Sequence, residues 1–373
     1  LAAAARRQIC LLPQSSQKAV IQDLSHTYAG AYVASDLAVD NELECLNITA
    51  SPQFTPASIP NFDWERTALI AFTSGSTGQP QPCAHNLKTF AISAKQALSA
   101  LQLTNNRRVM ISTTSPQHMY GLETSVCWPL FSALILYDGR PFFPEAIRQA
   151  IATAPWPVQL ATTPTHLRAL LKAGGDWPNL AGILSATDHL PAALAQESRA
   201  ILGQSPLEIY GSTETLSFAQ RNPITQNAWT PYSGSRVFLA ENGSARLTSL
   251  HLPSEISLHD VIQLTSDGGF EILGRHQDML KIGGKRLSLA ELDRRLRAIE
   301  GVTDGFCFLQ QERISAVVVS TLDRQAIRQG LKPYVDDVFL PRKIHYVPQI
   351  PRNPSGKLTQ SLKESVLSSL TLA

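Results

Sequence analysis

Small residues and hydroxyls crowd the stretch Thr73-Ser74-Gly75-Ser76-Thr77-Gly78-Gln79-Pro80. Such a run suits an anion: small side chains let backbone N–H groups come close, and Ser and Thr add donors without bulk. The apolar run Thr67 to Phe72 before it is short and bounded as a buried strand is, and Leu87 to Leu103 after it has a helical rhythm. Strand, loop, helix is an arrangement that cradles phosphate, although the same residues also make an ordinary turn. No Gly-Lys-Ser/Thr closes the loop and no G-x-G-x-x-G is present, which sets aside a Walker loop and a dinucleotide fold.

Three further stretches carry chemistry. Tyr210-Gly211-Ser212-Thr213-Glu214-Thr215 follows the strand-like Leu207 to Ile209, so it falls where open α/β sheets place ligands. Asp260, in Leu258-His259-Asp260, has two oxygens that can each take a donor. Near the end, Ile350-Pro351-Arg352-Asn353-Pro354-Ser355-Gly356-Lys357 sets one lysine in a Gly/Pro loop.

Taken in order, these stretches resemble the signatures of the adenylate-forming superfamily, which includes acyl-CoA synthetases, adenylation domains of nonribosomal peptide synthetases, and luciferases. Its phosphate loop reads T-S-G-S/T-T-G-x-P-K, and here Gln81 stands in place of the lysine. The resemblance makes Thr73, Ser74, Gly75, Ser76, Thr77 and Gly78 phosphate neighbours, Tyr210 an adenine neighbour, and Gly211 and Ser212 further nucleotide-binding residues. It makes Thr213 a phosphate contact and Glu214 the magnesium ligand. Gly274-Arg275-His276-Gln277-Asp278 is similar to the superfamily's hinge, with Gln277 in place of its first Asp, which implies that Arg275 touches ribose and phosphate and that Asp278 is the pivot. Asp260 matches the Asp of the superfamily's G-D step, with His259 in place of the glycine, which implies that it accepts from the ribose hydroxyls. Lys357 would cross from a mobile domain to bridge the substrate carboxylate and the α-phosphate. Pro116-Gln-His118-Met-Tyr-Gly121 is similar to P-x-x-H-x-x-G, which sets His118 beside the carboxylate, and Ser185-Ala-Thr-Asp188 loosely resembles an S-G-G-x wall segment.

The implied reaction is ATP-dependent activation of a carboxylic acid to an acyl-adenylate, then transfer to a phosphopantetheine thiol of a carrier protein or CoA. ATP and Mg²⁺ are the implied cofactors. The attacking carboxylate is already an anion, so alignment and charge dispersal are the main tasks. Amino-acid-activating relatives hold an α-amino group by the Asp of an F-D stretch near the site of His118, and no such stretch stands there, which favours an unaminated aromatic or short to medium acyl group. Gln81 offers donors but no charge, and the region before the phosphate loop is shorter than in most relatives. Both features keep a nucleotide-binding pseudoenzyme of the same fold as the alternative; an ATP-hydrolysing switch is disfavoured.

The elements that must position these residues follow from pattern. Strand-like runs at Arg108 to Ser112, Leu134 to Tyr137, Val158 to Ala161, Gly182 to Ser185 and Leu207 to Tyr210 alternate with helical stretches, which predicts an α/β sheet with helices on both faces. Short strands after Arg236 predict a small β subdomain. A composition shift at Asp278 predicts an N-terminal core over residues 1–277 and a mobile α+β C-terminal domain over 278–373 that carries Lys357. Within the latter, the capping box Ser288-Leu-Ala-Glu291 predicts a helix from Leu289 to Ile299.

Composition adds exclusions. With 373 residues, 43% hydrophobic and 17% charged, the chain has the make-up of a globular protein. A net charge of +2 calls for neither nucleic acid nor an anionic membrane as partner. No apolar run approaches a membrane span, and the opening Leu-Ala-Ala-Ala-Ala-Arg-Arg does not have the order of a signal peptide. Five scattered cysteines fit free thiols in the cytoplasm rather than a disulfide framework or zinc site. The chain opens on leucine rather than methionine, so further residues are expected before it.

Overall fold

The structure, a computed structural model, describes residues 2–13, 18–35, 45–47, 61–74, 80–275, 279–282, 285–310, 313–353 and 358–371. Its central feature is a seven-stranded sheet. The strand order is Thr230–Pro231, Leu216–Arg221, Leu207–Ser212, Leu180–Ser185, Val158–Thr162, Val109–Ser112 and Ile135–Leu136. The five strands from Leu207–Ser212 to Ile135–Leu136 run parallel, and Leu216–Arg221 turns back antiparallel. All five residues of Val158–Thr162 are buried, as a strand covered on both faces must be.

Alternation along the strands sorts the core into two layers. Met110, Ala161, Leu184 and Ile209 point to one face, where they meet Phe90, Ala94, Ala97 and Leu98 of the helix Leu87–Ala100. Those four helix positions recur at helical spacing, so one stripe of the helix is apolar. Val109, Ile111, Leu160 and Ile183 point the other way, onto the helices Pro144–Thr153, Pro164–Ala173 and Ala192–Leu202. The expected sheet with helices on both faces is what the chain forms.

The helix expected from Leu87 is formed there, but a strand that the sequence pattern does not announce comes before it. Thr67–Ser74 pairs antiparallel with a second strand, Pro80–Asn86, and the helix starts only at Leu87, capped by Asn86 Oδ1 accepting from Thr89 N at 2.8 Å. Thr73 and Ser74 therefore end one strand of a hairpin and Pro80 begins its partner strand. Pro80 and Pro82 sit in the outer strand of a three-stranded sheet with Cys10–Leu12, where a missing N–H is tolerated. A second strand is equally hidden in the sequence: Leu216–Arg221 follows the Tyr210 motif directly, with only three residues between the paired strands.

Beyond this lie a small sheet of Ser235–Leu239, Ala245–Ser249 and Ile256–Ser257, and a hairpin of Asp260–Leu264 with Phe270–Arg275. Phe218, Trp229, Val237, Leu247 and Phe270 knit them to the main sheet. From Met279 onward the chain builds its own apolar clusters. Leu292 and Leu296 of the helix Leu289–Arg297 pack on Val302, Ala316 and Val318 of a three-stranded sheet, together with Ile327 and Leu331.

Candidate active site

The Leu207–Ser212 strand carries its motif to the carboxyl edge of the sheet. Tyr210 stands in an aromatic nest, its ring centroid 5.1 Å from Phe218, 5.1 Å from Trp229 and 5.7 Å from Phe270. From there its hydroxyl donates to Asp260 Oδ2. Asp260 opens the hairpin strand and is the register partner of Arg275 on the strand opposite. Three candidate residues from separate parts of the sequence thus share one neighbourhood, and the aromatic packing fixes where the Asp260 carboxylate is met.

The turn after Tyr210 is held from within and from both sides. At Gly211 a Cβ would stand 2.1 Å from the Leu216 carbonyl oxygen, so the hairpin can close only over glycine. Ser212 N donates to Thr215 Oγ1 at 2.9 Å, and Thr215 N donates to Ser212 Oγ at 3.2 Å. His85 lies 2.8 Å by Nε2 from the Thr213 carbonyl, and His251 lies 2.7 Å by Nε2 from the Thr215 carbonyl. A carbonyl only accepts, so each Nε2 carries the proton. Burial lowers the pKa of both rings, which favours the neutral imidazole. The sequence alone assigns no site role to His85, His251 or Thr215. Their roles leave no local signal, since each histidine acts across a large sequence separation on a backbone carbonyl.

His85 belongs to Pro80–Asn86, so the hairpin bearing the phosphate-loop stretch lies against the Thr213–Glu214 turn. Cys83 Sγ is 3.7 Å from the Thr213 carbonyl, and burial followed by the Glu214 charge pushes its thiol up to about 11. At the base of the bend Thr73 pairs with Gln81 and Ser74 with Pro80. Gln81 is exposed there, across from Thr73. Gly75, Ser76, Thr77 and Gly78 lie outside the described residues. Glu214, half-buried, shows no ion pair among the described residues. No group of three or more metal-ligating side chains gathers anywhere among them. One carboxylate suits Mg²⁺, which keeps waters and takes its remaining oxygens from phosphates.

His118 occupies the residue position just before the short helix Met119–Leu122, without a capping bond from its side chain, at the end of the loop that follows the Val109–Ser112 strand. At Gly121 a Cβ would stand 2.1 Å from the Ser115 carbonyl oxygen, so this glycine lets the loop fold tightly upon itself. A π-helical turn, Glu123–Cys127, comes next. Its buried Glu123 accepts from Ser217 Oγ at 2.7 Å and from Ser217 N at 3.1 Å, which ties the His118 loop to the strand behind Tyr210. Burial raises this carboxyl to about 7 against those donors. No sequence motif marks this anchor.

Lys357 and Asp278 lie outside the described residues. Arg352, five positions before Lys357, is placed: it forks onto Asp304 with Nη2 2.8 Å from Oδ1 and 3.0 Å from Oδ2.

A mostly parallel sheet with loops gathered at its carboxyl edge defines an open α/β protein with its candidate ligand site in the usual crevice. Residues 3–241 match the family model of the AMP-binding enzymes, and the chain belongs to that family. It is 29% identical to 4-coumarate–CoA ligase of Halorhodospira halophila, over 79% of this chain and 76% of the relative. It is 24% identical to the dimodular nonribosomal peptide synthase of Bacillus subtilis, over 79% of this chain but only 14% of that synthase. Its fold is similar to that of o-succinylbenzoate coenzyme A synthetase from Bacillus subtilis in complex with ATP and magnesium ion. That likeness has a TM-score of 0.71 at 18% identity, covering 86% of this chain and 75% of the other.

Proposed function

We propose that this chain uses Mg·ATP to convert a carboxylic acid to an acyl-adenylate and then passes the acyl group to a phosphopantetheine thiol, of a carrier protein or of CoA. The observation that carries the reading is the meeting of Tyr210 with Asp260 and of His85 with Thr213. These contacts draw the hairpin, the Tyr210 turn and the Asp260 strand to one edge of the sheet. Family membership and relatives that are acid–thiol ligases support it. The acid we favour is unaminated, with an aromatic or short to medium acyl group.

In this reading Asp260 accepts from the ribose hydroxyls while Tyr210 holds the carboxylate in place. Arg275, its register partner, serves ribose and phosphate. The Thr73 to Gly78 bend and Thr213 donate to the phosphates, and Gly211 and Ser212 line the adenine side. His118 stands by the incoming carboxylate. Glu214 fits a magnesium ion, which when bound would neutralise charge on the departing pyrophosphate. The acid's oxygen attacks the α-phosphorus, the bond to pyrophosphate breaks, and Lys357 spans the two anions as they approach. We further propose that residues 1–277 form the core and 278–373 a domain that moves about Asp278. Among the described residues no helix is long and apolar enough to cross a membrane; we propose a cytoplasmic setting.

Gln81 favours one other reading, a pseudoenzyme that binds nucleotide without turnover, because its pairing with Thr73 puts a neutral side chain at the base of the bend. Exchange of labelled pyrophosphate into ATP, with a panel of acids, separates the two. A ligase exchanges only with its own acid, and Lys357→Ala abolishes that exchange while transfer from supplied acyl-adenylate persists. Exchange with none of the acids would leave the pseudoenzyme.

A further inference from the structure

The segment following the Leu180–Ser185 strand presents one carboxylate in an unusually fixed way. Thr187 holds a left-handed backbone, φ 78°, which a β-branched residue adopts only under constraint. Past it, Leu190 N donates to Glu208 Oε1 at 2.8 Å, and Arg221 ties Glu208 to His189, with its Nη2 2.8 Å from His189 Nδ1. Between these anchors Asp188 uses Oδ1 to accept from His189 N at 2.8 Å. Its Oδ2 meets the C-terminal part of the chain.

Two arginines approach it there. Arg297, from the helix Leu289–Arg297, stands 3.8 Å from Asp188 Oδ2, and Arg352 stands 3.7 Å from the same oxygen. Arg352 is itself set by its fork onto Asp304, whose Oδ1 also accepts from Gly305 N at 2.8 Å. Arg168 adds a third cation to the same field. The Arg352–Asp304 pair joins two residues of the C-terminal part, so it survives any movement of that part as a body. The contacts to Asp188 cross from there to the core and do not.

The position gives these crossings a use. Ser185 and Glu208 are register partners on parallel strands, so Asp188 and Gly211 each lie three residues further along, at the same edge as the Tyr210 turn. Lys357 follows Arg352 by five residues, and five residues reach at most about 18 Å. Fixing Arg352 therefore limits how far Lys357 can stray from it. We propose that Asp188 is a positioning residue, a catch that receives Arg352 and Arg297 and so seats the Lys357 loop for adenylation. This deepens the function proposed above and rests on it for the role of Lys357. Neither arginine is required for thiol transfer, a step in which Lys357 has no assigned part.

The test uses the full chain with Asp188→Asn, Asp188→Glu and Arg297→Gln. Partly exposed ion pairs are individually modest, so losing the carboxylate is expected to slow acid-dependent pyrophosphate exchange by about tenfold. KM for ATP should stay near that of the parent. Asp188→Glu restores most of the rate, and Arg297→Gln slows exchange while transfer from supplied acyl-adenylate is unchanged. Small-angle scattering reads the catch without turnover: Asp188→Asn, or high salt on the parent, enlarges the radius of gyration. Equal loss of exchange and transfer would overturn the proposal, as would an Asp188→Asn protein matching its parent in exchange and in scattering. A parent that exchanges with no acid sinks the ligase reading instead, and the scattering comparison alone then decides whether the catch exists.

Discussion

Tyr210 donates its phenolic hydrogen to the carboxylate of Asp260, fifty residues away in sequence, across the junction of the main sheet and a separate β-hairpin. The bond couples an aromatic nest to the carboxylate proposed to meet the ribose. Removing the donor by Tyr210→Phe keeps the ring packing and loosens that carboxylate. Hydrogen bonds to charged groups are worth about 1.5–3 kcal/mol, so ATP affinity should fall by roughly tenfold or more. Calorimetric titration with Mg·ATP checks this, and an unchanged Kd would show that Asp260 does not depend on Tyr210.

His85 is the brace between the hairpin and the Thr213 turn. His85→Ala leaves the Thr213 carbonyl without that donor, at a cost of about 1–3 kcal/mol in stability. Urea denaturation reads the loss directly. Mg·ATP affinity should weaken with it, because the hairpin and the turn are no longer held together. A variant as stable as the parent would mean that the contact carries no energy.

Glu123 gives a pH signature. Its carboxyl rises from an ordinary 4.5 to about 7 in the folded protein, driven by burial. The folded state therefore holds the proton more tightly than the unfolded chain. That contribution to stability is complete below about pH 4.5 and is lost as pH rises through about 7. Melting temperature measured across this window should fall more in the parent than in Glu123→Gln. Identical slopes would place the carboxyl at its ordinary value.

Much of the parallel sheet was legible because its strands are short apolar runs between helical stretches, as at Val158 to Ala161 and Leu207 to Tyr210. The motif loops were legible because Gly211 and Gly121 are demanded by backbone oxygens 2.1 Å from where a Cβ would stand. Pro80–Asn86 was not, since Pro-Gln-Pro-Cys-Ala-His-Asn has no strand alternation and its pairing partner decides its conformation. Glu123, His251 and the Asp188 catch were beyond reach for a different reason. Each works only through contacts made across the fold, such as His251 with Thr215 and Arg352 with Asp188.

Gln81 stands opposite Thr73 at the foot of the bend. If a neutral side chain limits phosphate neutralisation, Gln81→Lys should raise the exchange rate by roughly tenfold or more, below the 10²–10³ that one strong donor commonly contributes to an oxyanion. The rate at saturating ATP is the quantity to compare. A fall in rate would show that glutamine is the residue this hairpin has been fitted to.

Several separate loops must handle a single nucleotide and a single acid for adenylation to occur at this edge of the sheet. Mass spectrometry of the quenched reaction tests that most directly, by looking for acyl-AMP after incubation with Mg·ATP and each acid of a panel. The expected result is an acyl-AMP ion with one acid or a narrow group of acids, and its disappearance in Asp260→Ala. An ATP-bound protein that yields no acyl-AMP with any acid would contradict it.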